Sequence, residues 1–205
     1  MTRQPLETRD PAWLDPTPAS PLDGEELFRG VEARVVDFWR WAMSDLRMNT
    51  IRPMLAEFLV ARAVGDPQRV RVEWANHDVT SAEGIRIEVK STGYLQSWKQ
   101  RKLSTPTFGR LSGRAWDPET ATYGERPEIR ADVFVFAIQT CRDPASYDVL
   151  DVGQWRFHVL AADIVKSCGT KTVGMGFVRK HAPSALSWNE LRGAVVSVAR
   201  AKASP

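Results

Sequence analysis

The stretch Asp78-Val-Thr-Ser-Ala-Glu83-Gly84-Ile85-Arg86-Ile87-Glu88-Val89-Lys90-Ser91 decides how this chain is read. Ile85, Ile87 and Val89 alternate with Arg86, Glu88 and Lys90, and successive side chains of a strand point to opposite faces. One face is therefore apolar and the other charged. With a polar turn near Glu83, residues 70–78 and 84–91 are expected to form an antiparallel hairpin. A turn centred on Glu83 sets Asp78 opposite Glu88, where paired Cβ atoms lie roughly 5 Å apart. Lys90 shares the Glu88 face. Two opposed carboxylates repel unless a cation lies between or beside them.

Upstream, Asn49 or Thr50 can cap a helix that tolerates Pro53 in its first turn and ends at Gly65. Glu57 is the only acid on it, among Met54, Leu55, Phe58, Leu59 and Val60. A carboxylate in such surroundings is costly without a partner. It either faces a site or pairs with an arginine such as Arg52 or Arg62. Before this helix, Leu27, Val31, Val35, Phe38, Trp41 and Ala42 recur at helical steps, which predicts an amphipathic helix over 25–46.

Downstream, strands are expected at 105–111, 132–139, 155–160 and 172–178. Helices are expected at 162–167 and, capped by Ser187, at 188–200, with Leu191, Val195 and Val198 on one side. The simplest architecture is α/β, a central mixed β-sheet flanked by helices. Residues 1–26 carry Pro5, Pro11, Pro16, Pro18 and Pro21 and read as a flexible arm, leaving 27–205 as a single domain.

That arm holds two basic and six acidic side chains, so residues 27–205 carry +7 against +3 overall. From Ser91 to Trp116 there are Lys99, Arg101, Lys102, Arg110 and Arg114 and no acid. Basic charge of this kind is usually a solvated loop, but its position after Lys90 and beside Trp98 favours phosphate contacts, with Trp98 placed to stack on a base. The other tryptophans, Trp13, Trp39, Trp41, Trp74, Trp116, Trp155 and Trp188, read as core or edge residues.

Several function classes find no support. There is no Gly-rich phosphate loop, dinucleotide fingerprint or Gly-x-Ser-x-Gly elbow. His77, His158 and His181 are not spaced as a metal set with Cys141 and Cys168, and both thiols read as structural. No apolar run approaches the roughly 20 residues of a membrane span, and Met1-Thr-Arg-Gln-Pro lacks a secretory h-region, so a cytoplasmic protein is expected.

Glu57 on a helix, then Asp78, then Glu88-Val89-Lys90 on the next strand resembles the PD-(D/E)xK nuclease superfamily, whose fold is restriction-endonuclease-like. The stretch 78–98, with Gln96-Ser-Trp98 after the Glu-x-Lys, is similar to bacterial members of that group, and the likeness covers residues 50–100 best. His77 stands where the motif's name has Pro. By this resemblance Asp78 and Glu88 bind Mg²⁺ (or Mn²⁺) together with the backbone carbonyl of Val89, and Lys90 positions the attacking water or stabilises charge. Glu57 becomes an accessory metal ligand and Gln96 an auxiliary site residue. The implied activity is metal-dependent phosphodiester hydrolysis, with DNA the expected substrate and RNA sharing the same chemistry. A homodimer or a partner protein is compatible with it. The alternative is a non-catalytic nucleic-acid-binding or scaffolding module of the same fold within a larger defence or repair complex.

Overall fold

The computed structural model describes residues 17, 19–66, 70–73, 75–117 and 120–203. In chain order the elements are α1 (Val35–Met43), α2 (Ile51–Val64), β1 (Val79–Thr80), β2 (Arg86–Gly93), β3 (Thr107–Gly109), β4 (Trp116–Asp117) and β5 (Thr122–Tyr123). These are followed by β6 (Val133–Gln139), β7 (Trp155–Ala161), α3 (Ala162–Ser167), β8 (Thr172–Gly174), α4 (Met175–His181) and α5 (Leu191–Ala203).

The strand Val-Phe-Val-Phe-Ala-Ile-Gln of β6 is buried along its whole length, as a strand covered on both faces must be. It lies parallel to β2 and antiparallel to β7, and β1 joins the far side of β2, giving a four-stranded mixed sheet in the order β1-β2-β6-β7. On one face Ile87, Val89, Val133, Val135, Ala137, Phe157 and Val159 meet Val60 and Val64 of α2 and Leu191 and Val195 of α5. On the other, Phe134, Phe136, Ile138 and Leu160 meet α3, α4 and the small β3–β8 sheet through Val165, Val178, Phe108 and Val173. The α/β expectation of a mixed sheet flanked by helices is therefore met. Among the described residues no helix is long and apolar enough to cross a membrane.

Helix ends follow local chemistry. Gly65 closes α2 in the left-handed region at φ 70°, donating its N–H to Ala61 O, a conformation a Cβ would strain. Thr50 takes the N-cap position of α2 without a side-chain cap bond, and Asn49 Oδ1 instead accepts from Arg52. Ser187 and Glu190 form a capping box before a short 3₁₀ turn, Trp188–Glu190, that runs into α5.

Three expected elements are corrected. The helix over 25–46 is reduced to Val35–Met43, because Gly24 and Gly30 take positive φ and Leu27 bridges back to Arg34. Its expected buried face is consequently open: Leu27, Val31, Phe38 and Trp41 are exposed, Trp41 to 85%. The strand over 70–78 gives way to the two residues of β1. The strand over 172–178 stops at Gly174, after which Met175–His181 is helical and buries Val178; a short apolar run does not itself distinguish the two states. The expected arm lies largely outside the described residues, as do Trp13 and Trp74. At its end, Gly24 and Glu26 accept hydrogen bonds from the first amides of α1.

Candidate metal and phosphate site

The β1–β2 register pairs Val79 with Ile87 and Thr80 with Arg86, centred on Glu83 as the alternation predicts. At Asp78 the ladder ends: its amide donates to Ile87 O at 3.1 Å, and its carboxylate oxygen Oδ2 accepts from Val89 N–H at 2.7 Å. The side chain thus bends over the edge of β2. Val89 buries its side chain in the core beneath. The N–H and C=O of one strand residue point to the same side, so the Val89 carbonyl faces the edge where Asp78 sits.

Glu88 and Lys90 project from the opposite face of β2, beside Phe134 and Phe136 in the parallel register. Lys90 Nζ donates to Glu88 Oε1 at 2.6 Å, and the two side chains are 17% and 22% exposed. Burial pushes the Glu88 carboxyl above the usual carboxylate range; Lys90 opposes this, and the nearby negative charge of Asp78 reinforces it. Asp78 and Glu88 line one cavity of about 220 Å³ together with Arg114, Arg130, Trp116 and Tyr123. Arg130 also pairs with Glu128 at 3.4 Å. Arg130 escaped the sequence reading because it lies forty residues beyond the motif, and only the parallel placement of β6 beside β2 returns the segment before β6 to Glu88.

Hard oxygen donors of this kind suit Mg²⁺, which retains several waters and needs one or two protein carboxylates. The described residues supply no hydrogen bond to Asp78 Oδ1 or Glu88 Oε2. Asp78, Glu88 and the Val89 carbonyl supply oxygen donors of the type such an ion takes. Among the described residues no group of three or more His, Cys, Asp or Glu side chains is placed to hold a metal, although Glu73 and Glu128 line the same cavity as Asp78 and Glu88.

Glu57 meets the other fate foreseen for it, with a different arginine. Arg71 donates Nε to Oε2 at 2.5 Å and Nη2 to Oε1 at 3.3 Å, so each Glu57 oxygen accepts a hydrogen bond, while Glu57 and Asp78 line a further cavity together. Arg52 and Arg62 are not its partners. Burial raises the Glu57 carboxyl above its ordinary value despite Arg71. Ionised Glu57 therefore disfavours the fold above its unfolded pKa, a penalty relieved as pH falls through the folded one. Arg71→Ala enlarges that penalty. The expected cost is about 1–2 kcal/mol at neutral pH, below the 3–5 of a fully buried pair because Arg71 is half-exposed. The difference from wild type shrinks as acidification protonates Glu57. Urea melts at neutral and mildly acidic pH measure it, and a gap that widens in acid contradicts the assignment.

Gln96 is not brought to the carboxylates. It lies beyond the far end of β2, accepts from Arg52 Nη2 at 2.9 Å and donates to Gly93 O at 3.1 Å. The basic run divides in the same way. Arg114 lines the carboxylate cavity, Trp98, Lys99, Arg101 and Lys102 line a second cavity with Gln96, and Arg110, at φ 53°, lines neither.

The histidines have local partners: His77 with Thr80 Oγ1 at 2.7 Å, His158 with Ala182 O at 2.7 Å, and His181 against Phe177. Burial pushes the pKa of His158 down, which keeps it neutral. Cys141 and Cys168 are free thiols. Trp155 is core and Trp188 donates its indole N–H to Leu59 O. The sequence matches no protein-family model and no curated protein.

Proposed function

We propose that this protein is a divalent-metal-dependent nuclease with a restriction-endonuclease-like fold and DNA as its substrate. The observation that carries the reading is that Asp78 and Glu88 line one cavity while Lys90 is bonded to Glu88. Asp78, Glu88 and the Val89 carbonyl would hold a Mg²⁺ or Mn²⁺ ion, which when bound would supply Lewis acidity toward the phosphoryl oxygen and the attacking water. The Val89 amide fixes Asp78 in one rotamer. Lys90, bonded to Glu88, brings a positive charge beside that ligand, where it would stabilise charge developing on the phosphate. Arg114 and Arg130 on the cavity wall offset phosphate charge. The mixed sheet and the helix-hairpin order support the fold assignment.

The experiment incubates the purified protein with duplex DNA, single-stranded DNA and RNA, with Mg²⁺ or Mn²⁺ and with chelator. Metal-dependent DNA cleavage lost in Asp78→Asn supports the proposal. Equal cleavage by wild type and variant sinks the site. Salt-sensitive binding without cleavage transfers the case to the non-catalytic module.

A pH dependence follows from Glu88. Its raised pKa means that protons compete with the metal over a range above that of an ordinary carboxylate, so metal affinity is expected to climb with pH until Glu88 is ionised and then level off. Calorimetric titration of Mn²⁺ across acid to neutral pH shows this. An affinity flat over that range removes Glu88 from the ligand set.

A further inference from the structure

The parallel strands β2 and β6 carry different chemistry at their two ends. Glu88 and Phe134, near their starts, line the carboxylate cavity, whereas the loops after Gly93 and Gln139 enclose a second cavity of about 580 Å³. At a rise of about 3.3 Å per residue, roughly 16 Å of strand separates Glu88 from Gly93. The second cavity is separate from the first.

Its wall combines Trp98, Lys99, Arg101 and Lys102 from the loop after β2 with Arg142 and Tyr147 from the loop after β6, and no Asp or Glu lines it. Lys99, Arg101 and Lys102 form no ion pair with a described residue. Gathering like charges costs energy that an anionic ligand offsets. The loop that bears them is also held in shape. Gln100 accepts from the Gln96 amide at 2.7 Å and donates to Tyr94 O at 3.2 Å and Ser104 Oγ at 3.1 Å. Arg142 lies 4.3 Å over the centre of the Tyr94 ring. Such bracing lowers the ordering cost of binding.

Behind the loop stands a buried cation. Arg52, only 7% exposed, donates to Leu95 O, Asn49 Oδ1 and Gln96 Oε1, all neutral acceptors, and its Nε has no partner. A guanidinium in that position adds positive potential without a carboxylate to cancel it. Trp98 leaves more than half its surface exposed beside three unpaired cations. Indole faces take up unpaired bases by stacking, and neighbouring Lys and Arg take up the phosphate.

We propose that this cavity binds a nucleoside phosphate with an unpaired base, the base stacked on Trp98 and the phosphate held by Lys99, Arg101 and Lys102. The ligand is a free nucleotide or the terminal nucleotide of a strand. The site is independent of metal chemistry at Asp78 and Glu88 and stands if that chemistry fails.

The test uses the full chain in chelator, so that metal-dependent cleavage cannot intervene. Fluorescein-labelled single-stranded oligo(dT) is followed by anisotropy, adenosine monophosphate by calorimetry, and unlabelled strand, adenosine monophosphate and inorganic phosphate serve as competitors. Trp98→Ala is expected to weaken binding about 5- to 100-fold, as loss of one stacked base does. The double variant Arg101→Glu/Lys102→Glu is expected to weaken it at least about 10-fold and to flatten its salt dependence. All three side chains are exposed, and circular dichroism checks that the fold is kept. Displacement of the strand by adenosine monophosphate identifies the free nucleotide as a ligand, and displacement only by unlabelled strand identifies the strand end; both support the proposal. Unchanged affinity in Trp98→Ala, competition by phosphate equal to that by the nucleotide, or no binding of either probe overturns it.

Discussion

On the proposed nuclease reading, Lys90→Ala is expected to lower metal-dependent cleavage about 10²- to 10³-fold, the loss usual when one charge-stabilising donor is removed from a reaction centre. Lys90 Nζ is 2.6 Å from Glu88 Oε1 and its side chain is 17% exposed, so its charge acts where water screens it weakly. Without it, Glu88 keeps its burial and its repulsion from Asp78 and loses the cation that opposes them. The carboxyl then holds its proton to higher pH. Metal affinity in the variant should therefore fall at neutral pH and recover in alkali, while the cleavage defect persists at saturating metal because the charge itself is missing. Lys90→Arg restores the charge and should recover metal affinity more fully than cleavage, since a planar guanidinium does not reproduce a compact ammonium. Single-turnover cleavage with metal titration separates these effects. Cleavage within a few-fold of wild type in Lys90→Ala at saturating metal removes Lys90 from the mechanism.

Phe136→Ala is expected to destabilise the protein by about 3–5 kcal/mol, the range for truncating a fully buried aromatic side chain. Phe136 is inaccessible to solvent, meets Phe108 edge-on at 4.8 Å between ring centres and stacks with Phe134 at 5.9 Å. It sits on the strand that joins both cores, so the cavity opens at the middle of the sheet rather than at a margin able to collapse. Against a total stability of about 5–15 kcal/mol the loss is severe. Phe136 is also the register partner of Lys90, and loosening β6 there should reduce cleavage as well. Phe136→Leu, which keeps most of the volume, should cost less than about 1.5 kcal/mol. Denaturant unfolding decides it: a loss under about 1 kcal/mol for Phe136→Ala would mean that the second core does not depend on this ring.

The second strand of the hairpin and its turn were legible because their information is local, whereas the first strand, expected at 70–78, is Val79–Thr80. Alternation from Ile85 to Lys90 fixes which side chains share a face, and the turn at Glu83 fixes the register, which the pairing of Val79 with Ile87 reproduces. The same holds for β6, for α3 at Ala162–Ser167 and for the Ser187 capping box, each set by residues within a few positions of one another. What failed was local pattern without local cause. Trp41 and Phe38 have the spacing of a buried helix face, yet both are exposed, Trp41 to 85%, and periodicity alone does not supply a partner surface.

The sequence by itself determined that Glu88 and Lys90 share a face, that an alternating strand carries them, and that Glu57 needs a partner in its apolar surroundings. Tertiary structure alone decided who that partner is, since Arg71 reaches Glu57 from beyond the end of α2. It also decided that one Asp78 oxygen accepts from the Val89 amide, and that Arg114 of the basic run lines one cavity while Lys99, Arg101 and Lys102 line another at the opposite end of β2. The physical reason is range. Strand alternation and helix capping act over a few residues of chain, whereas an ion pair or a pocket wall depends on how strands such as β2 and β6, more than forty residues apart, are laid side by side.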